Sequence, residues 1–523
     1  MSSSKLSRRG LFRSGAMLAA AGVSASIPEP VLAAPARALD VGPNLYQSIG
    51  VTPLINCKGT YTIISGSQTL PEVKQAMEAA SHAYVHMDEL MDAVGQRLAD
   101  LTKADWGIVT AGCAAALTHA TSACIAGGDP EKIQRVPNLT GLKNEVVVPR
   151  YSRNEYDHAV RMLGVKMVEV ETAAQFEAAI GPQTAMVMIL SCPAAEKGEL
   201  SIENACVIAR RKGVPVLVDA AAEMLTIPSI HLQHGANLVA YSGGKCLRGP
   251  HAAGLLLGQK DLVRAAWINS APHHAFGRSL KVGKEEIMGM LAAVEMWVKR
   301  DHDAEWKQWQ SWLDNIAEQA KQVPGVTSEI LQPRDLSNHA PQLRLHWDAQ
   351  QLGITGTEVE EILLHGQPRI IVGGGAGTRR DNRPSSLTIM PYMMMPGDDK
   401  IAAAAIHQVL AKPPEITVPE LEAPAVDVSG TWTAELTFLS GSSRHRLTIE
   451  QHEGKLSGTH HGDVLSGMLT GDVEGRRVFI RSGHHIEGTT LHYAFTGDVQ
   501  GDRIEGVVQL GEYGQAKWTA QRA

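Results

Sequence analysis

The sequence predicts an α/β protein: a mainly parallel sheet flanked by helices, then a smaller α+β domain, then an antiparallel β meander or barrel. Three observations predict it. From about residue 100, short apolar runs alternate with helical patterns, as in parallel strands joined by helical crossovers. A Pro-rich stretch at 413–425 interrupts that alternation, and beyond it the hydrophobic period falls to two. There Thr470-Gly471-Asp472-Val473-Glu474-Gly475 recurs as Thr496-Gly497-Asp498-Val499-Gln500-Gly501, an internal repeat with glycine turns.

At 523 residues the chain is too long for one core, and 44% apolar with 20% charged residues is an ordinary globular composition. The net charge of −7 argues against nucleic acid as a main partner, because neutralising phosphates takes clustered Lys and Arg. Residues 1–38 read as a twin-arginine signal peptide. Ser7-Arg8-Arg9-Gly10-Leu11-Phe12 precedes a small-residue apolar stretch from Gly15 to Ile27, and Ala33-Ala34-Pro35-Ala36 suits cleavage. That route exports folded proteins, so a periplasmic enzyme that acquires its cofactor in the cytoplasm is expected. After this segment no stretch has the length and apolarity of a membrane span.

The large domain is expected over 39–300, with strands near 106–110, 145–148, 166–170, 185–191, 215–219, 238–242 and 254–257. Helical patterns fall between them, at 114–125, 155–163, 173–180 and 202–212. Residues 285–325 read as one or two long helices rich in Trp, Glu and Lys. The smaller domain, 301–412, has strand candidates at 342–346, 370–372 and 386–389 and a closing Ala-rich helix at 400–410. After the 413–425 linker, 426–523 reads as the β meander or barrel. Gly373-Gly374-Gly375-Ala376-Gly377 lacks the spacing and following helix of a dinucleotide turn and reads as a loop. The pairs His460-His461 and His484-His485 lie on predicted strands, where neighbours face opposite sides, so they read as barrel lining and solvated face rather than a metal site. The six cysteines show no zinc spacing, and most read as small buried packers, with Cys246 next to Lys245 and Cys113 in a glycine turn.

Two residues carry the chemistry. Val216-Leu217-Val218-Asp219 is a buried-looking strand ending in a carboxylate, and Tyr241-Ser242-Gly243-Gly244-Lys245 is a strand end running into a small-residue turn. Ligands of such sheets bind at the carboxyl ends of strands. An Asp and a Lys there suit pyridoxal phosphate: Lys245 would hold the aldehyde as a Schiff base, and Asp219 would keep the pyridinium nitrogen protonated. A third anchor is Thr110-Ala111-Gly112-Cys113-Ala114-Ala115, where small residues open a helix N-terminus to a phosphate. Gly112, Cys113, Ala114 and Ser242 are therefore cofactor candidates beside Lys245 and Asp219. Once Lys245 exchanges the imine to the substrate amine, it is free to act as a base at Cα. The resulting quinonoid leads to β-elimination, replacement or racemisation.

Residues 45–410 resemble the selenocysteine synthase-like group of fold-type I pyridoxal phosphate enzymes. That group includes seryl-tRNA selenium transferase and ammonia-lyases of amino-sugar acids. The resemblance rests on Ile55 to Thr60, Thr110 to Ala115, Val218 to Glu223, Ser242 to Pro250 and Gly277 to Glu286. It is closer to the lyase-like branch. It implies the Schiff-base role for Lys245, the ring-nitrogen role for Asp219, phosphate contacts from Gly112 and Cys113, and a homo-oligomer with active sites at subunit interfaces. Asn56, Thr60, Arg150, Arg153 and Arg278 are further substrate or phosphate candidates, since Arg matches carboxylate and phosphate geometry. The expected substrate is a small amino acid or amino-sugar acid. The alternatives are a selenium transferase, a racemase, or a catalytically silent ligand-binding protein.

Overall fold

The computed structural model describes residues 39–379, 384–417 and 422–523, together with the short strand Leu6–Ser7. The expected targeting segment, apart from Leu6–Ser7, lies outside the described residues. The chain divides into two compact units, one of Ala38–Pro413 and one that contains Pro414–Ala523.

The first unit opens with β1 (Ile55–Cys57), α1 (Pro71–Ser81) and α2 (Met87–Thr102). Next come β2 (Trp106–Thr110), α3 (Gly112–Ala126), β3 (Glu145–Pro149), β4 (Lys166–Val170), α4 (Ala173–Ala179) and β5 (Thr184–Leu190). Then follow α5 (Ile202–Arg211), β6 (Val216–Asp219), β7 (Leu238–Ser242), β8 (Gly254–Gly258), α6 (Lys260–Ile268), α7 (Lys284–Lys299) and α8 (His302–Ala320). Strands β2 to β8 form a seven-stranded sheet in the order β2-β8-β7-β6-β5-β3-β4. Neighbours from β4 to β7 run parallel, while β8 runs antiparallel to both β7 and β2. The central strands are continuous apolar runs, such as Val146 to Val148, Met186 to Ile189 and Leu238 to Ala240, and all are buried. That is the composition a sheet covered on both faces requires. Helix α3 is buried all round, twelve of its fifteen residues being inaccessible, so its alanines let it pack closely between β8 and α6.

The same unit continues with β9 (Thr327–Leu331), β10 (Gln342–Trp347), α9 (Gly356–His365), β11 (Ile370–Val372), β12 (Gly374–Ala376), β13 (Ser385–Ile389) and α10 (Asp398–Ala411). Strands β9-β10-β13-β12 make an antiparallel sheet, and β11 pairs in parallel with β1. The glycine run read as a loop is a strand here, because β12 pairs with β13 from Gly374 to Ala376. Gly375 serves close backbone approach: a Cβ there would sit 2.0 Å from the carbonyl oxygen of Gly356, the first residue of α9. That helix starts with a capping box in which Thr355 and Glu358 bond each other's backbone N–H groups.

The second unit is a closed barrel of β14 (Gly430–Thr437), β15 (Ser442–His452), β16 (Lys455–His461), β17 (Ser466–Glu474), β18 (Arg477–Ile486), β19 (Thr489–Gln500), β20 (Arg503–Gln509) and β21 (Gln515–Arg522). Each strand pairs with the next, and β14 closes on β21. Gly475 and Gly501 of the internal repeat turn the β17–β18 and β19–β20 hairpins with φ of +57° and +60°. Alternation places Leu447, Ile449, Val478, Ile480, Phe495 and Trp518 inside. It splits both histidine pairs as expected: His460 and His484 are buried, whereas His461 and His485 are not. Inside, His445 Nδ1 lies 2.7 Å from His460 Nε2, and His460 Nδ1 lies 2.6 Å from Ser482 Oγ. The His460 and His484 rings sit 4.3 Å apart. Gly467 leaves them room, since a Cβ there would come within 2.9 Å of His484 Cδ2. No helix among the described residues is long and apolar enough to cross a membrane.

Candidate active site

The site forms where β6, β7 and β2 end. Backbone hydrogen bonds pin the end of β6 on both sides: Ser191 N donates to Asp219 O and Ala220 N to Ala240 O, each at 2.9 Å. Asp219 is 2% exposed. Its Oδ1 accepts from Ala221 N at 3.0 Å and from the Cys113 thiol at 3.8 Å, while Oδ2 accepts no hydrogen bond among the described residues. Burial raises the Asp219 pKa above the usual carboxylate range, offset in part by the Ala221 N–H, by the Lys245 charge and by Cys113. A buried carboxylate with one open oxygen is a receptor for a cationic N–H.

Lys245 follows β7 in a turn closed by Gly243 N to Ala253 O and Gly249 N to Gly243 O, both 2.8 Å. Only glycine fits at 243, where a Cβ would lie 2.8 Å from both Ala253 O and Met290 Sδ. The Lys245 side chain is half-buried, has no hydrogen bond or ion pair among the described residues, and lies near enough for its charge to act on Asp219 and Cys113. Ser242 is half-buried too, and its hydroxyl bonds no described group.

The third side is the start of α3. Ala111 provides no side-chain cap, and the first turn holds no acidic residue, so its N–H groups and the positive helix end remain available to an anion. Gly112 adopts φ of +81° there. Strand β8 presses on this turn: a Cβ on Gly254 would lie 2.3 Å from the Gly112 carbonyl carbon. Cys113 is buried, and burial together with Asp219 keeps its thiol protonated by raising its pKa. Ala114 is exposed at the same helix end.

These residues fit pyridoxal phosphate in three independent ways. Among the described residues there is a buried carboxylate with one oxygen free for the ring nitrogen, a lysine without a partner for the aldehyde, and an uncapped helix N-terminus for the phosphate. Such a site defines a class, the pyridoxal phosphate-dependent enzymes of fold type I.

The remaining sequence candidates are engaged in other ways. Asn56 closes its own turn, with Nδ2 donating to Gly59 O at 2.8 Å and Oδ1 accepting from Lys58 N and Gly59 N. Thr60 is buried against Tyr392, Oγ1 to Oη 2.8 Å. Arg150 pairs with Glu169 at 2.5 Å and with Glu171, and Arg153 pairs with Asp157 at 2.5 Å and Glu169 at 3.3 Å. Arg278 is exposed, and its guanidinium has no partner among the described residues; its neighbour Gly277 packs against His119 of α3. A network that the sequence reading did not find lies behind Asp219. Glu223 Oε1 accepts from Ser191 Oγ, and Glu223 Oε2 lies 2.6 Å from His231 Nε2, all three residues being buried. Because Ser191 also bonds the Asp219 carbonyl, this network holds the strand end that presents the carboxylate.

The family of Cys/Met metabolism PLP-dependent enzymes matches residues 47–266. D-glucosaminate-6-phosphate ammonia lyase of Salmonella typhimurium is 31% identical over 335 residues, covering 62% of this chain and 88% of that protein. A solved structure of D-glucosaminate-6-phosphate ammonia-lyase aligns with 28% identity and a TM-score of 0.62, over 71% of this chain and 100% of the other. A 5'-C-glycyluridine monooxygenase-decarboxylase of Streptomyces sp is 29% identical, covering 62% of this chain and 83% of that protein. L-seryl-tRNA(Sec) selenium transferase of Rhizobium meliloti is 30% identical, covering 36% and 44%. The chain belongs to the selenocysteine synthase-like group of fold-type I pyridoxal phosphate-dependent enzymes, and its cofactor is pyridoxal 5'-phosphate.

Proposed function

We propose that this enzyme is an ammonia-releasing lyase acting on a small amino acid or amino-sugar acid that carries a β-hydroxyl. The observation that carries this reading is the juxtaposition of Lys245, Asp219 and the open start of α3, in a chain that spans 88% of an ammonia lyase. When bound, the cofactor draws electrons away from the substrate's Cα. Asp219 Oδ2 would hold the ring nitrogen's proton, the first N–H groups of α3 and Ser242 Oγ would hold the phosphate, and Lys245 Nζ would hold the aldehyde. Lys245 then moves the proton at Cα. Loss of the β-hydroxyl as water, followed by uptake of one water, balances to a 2-keto acid and ammonia.

Reaction of the purified protein with a panel of D- and L-β-hydroxy amino acids, D-glucosaminate and its 6-phosphate tests this. Equal yields of ammonia and 2-keto acid are expected. Racemised amino acid without ammonia, or carbon dioxide release, would sink the lyase reading. The match to a selenium transferase favours a second reading, which selenide transfer to charged seryl-tRNA tests.

Two further features belong to the same proposal. Export by the twin-arginine route to the periplasm is supported by Arg8-Arg9 and the apolar stretch after them. Arg8→Lys with Arg9→Lys is expected to leave the protein in the cytoplasm, and unchanged export overturns that point. A homo-oligomer is expected by sedimentation, and a purely monomeric active enzyme contradicts it.

A further inference from the structure

A cavity of about 340 Å³ opens within the first unit, beside the turn that carries Lys245. Cys246 and Arg248 of that turn line it, but Asp219, Ser242 and the start of α3 do not, so it is separate from the cofactor cradle. One wall is aromatic: Trp306, Trp309 and Trp312 recur at three-residue spacing on α8, with Trp297 beyond them. Trp306 lies 6.3 Å from Trp309 and 5.6 Å from His339, ring centre to ring centre, and all three tryptophans of α8 are only half-buried.

The cations are not equivalent. Arg300 is neutralised by Glu305 through two bonds, 2.8 and 3.0 Å, and its third donor reaches Cys246 O at 3.2 Å. Arg248 has no ion pair among the described residues. Its Nε donates to the Gln68 carbonyl at 3.1 Å, and its other contact is a thioether, Met395 Sδ, at 3.9 Å. Its backbone is left-handed, with φ of +54°, held by Arg248 N to Lys245 O at 2.9 Å and Leu70 N to Arg248 O at 3.1 Å. A side chain at such a position is unfavourable where glycine would be free of strain, which points to a use for the guanidinium. Glu305 and Glu72 act on this half-buried cation only from beyond ion-pair distance, and a guanidinium with no carboxylate in contact, in a cavity walled by indoles, matches an anion attached to an apolar body.

We propose that this cavity binds a small organic anion, with Arg248 pairing with its carboxylate or phosphate and the indoles of Trp306 and Trp309 covering its carbon skeleton. Binding there acts on the turn that holds Lys245, since Arg248 N and Lys245 O are directly bonded. The site stands whatever reaction the enzyme performs.

Titration of the full-length holoenzyme, read by tryptophan fluorescence, tests the site. The probes are cyclohexanecarboxylate, cyclohexyl phosphate and neutral cyclohexanol. A saturable change with one or both anions is expected, and the tighter one identifies carboxylate or phosphate as the source. Arg248→Gln and Arg248→Gly should each weaken that binding by about tenfold or more. The glycine variant relieves the left-handed backbone, so an unchanged melting temperature and unchanged visible absorbance of bound cofactor separate lost binding from lost folding. The proposal is overturned if neither anion gives a saturable response, if cyclohexanol binds as tightly, or if both variants bind like the parent. Those outcomes leave untouched the release of ammonia and 2-keto acid, on which the lyase reading is tested.

Discussion

The Cys113 thiol and the Asp219 carboxylate meet at 3.8 Å, which ties the first turn of α3 to the last residue of β6. The two groups come from the parts of the site that would hold opposite ends of the cofactor. One weak contact thus couples the phosphate end to the ring-nitrogen end: the carboxylate raises the pKa of the thiol, and the thiol's hydrogen bond lowers that of the carboxylate.

Asp219→Asn should abolish most activity while the protein stays folded. An amide cannot balance a pyridinium charge, and a loss in kcat of about 100- to 1,000-fold is expected from steady-state kinetics. The cofactor-free protein should respond in the opposite sense. With its pKa raised in the folded state, Asp219 binds more protons when folded than when unfolded, so its contribution to stability declines as pH rises above the usual carboxylate range. Melting curves of the apo-protein should therefore show a pH slope there that Asp219→Asn reduces.

Gly254→Ala tests the cradle without altering a chemical group. Its methyl would drive into Gly112, 2.3 Å away, and displace the helix start. A destabilisation of about 1–3 kcal/mol is expected by thermal melt, with weaker cofactor binding by equilibrium dialysis. Parent-like values in both would show that the turn yields without consequence.

Cys113 should resist alkylation. Burial and the Asp219 charge both hold the thiol in its protonated, unreactive form. Iodoacetamide treatment of the native protein at neutral pH, mapped by mass spectrometry, should leave Cys113 unmodified until denaturant is added.

The barrel should be acid-sensitive. Burial and the neighbouring His484 and His445 depress the His460 pKa to about 2, from 6.5. Between those values the unfolded chain takes up a proton that the folded barrel refuses, so stability falls as pH drops below about 6.5. At pH 5 the loss is about 2 kcal/mol for such a histidine. His445 and His484 shift in the same direction. Thermal melts at pH 7 and pH 5 should differ less for His460→Leu than for the parent.

Much of the architecture was legible because it rests on local pattern. The seven sheet strands were visible as apolar runs, and Asp219 and Lys245 stood out because polar residues that end such runs have few structural uses. The direction of β8 was not legible, since a buried run reads the same either way. The glycine run at 373–377 misled because Gly375 answers to Gly356 and Gly373 to Thr388, neither of them a neighbour in sequence. Arginine candidates were the least legible. Whether Arg150 meets a ligand or Glu169 and Glu171 depends on the neighbouring strand β4, not on its own surroundings in sequence. Glu223 and His231 escaped notice for the same reason, although Glu223 ends the Val218 to Glu223 stretch that identified the family.

The barrel closes on itself, with β14 bonded to both β15 and β21, so each of its eight strands has backbone partners on either side. The barrel, among the described residues, therefore leaves no unpaired rim for a foreign chain to extend. What the barrel offers to its surroundings is outward side chains and hairpin tips, where Leu439 and Val464 stand almost wholly in solvent. A homologue that lost one strand would acquire a sticky margin, and selection against aggregation would favour keeping or discarding all eight together.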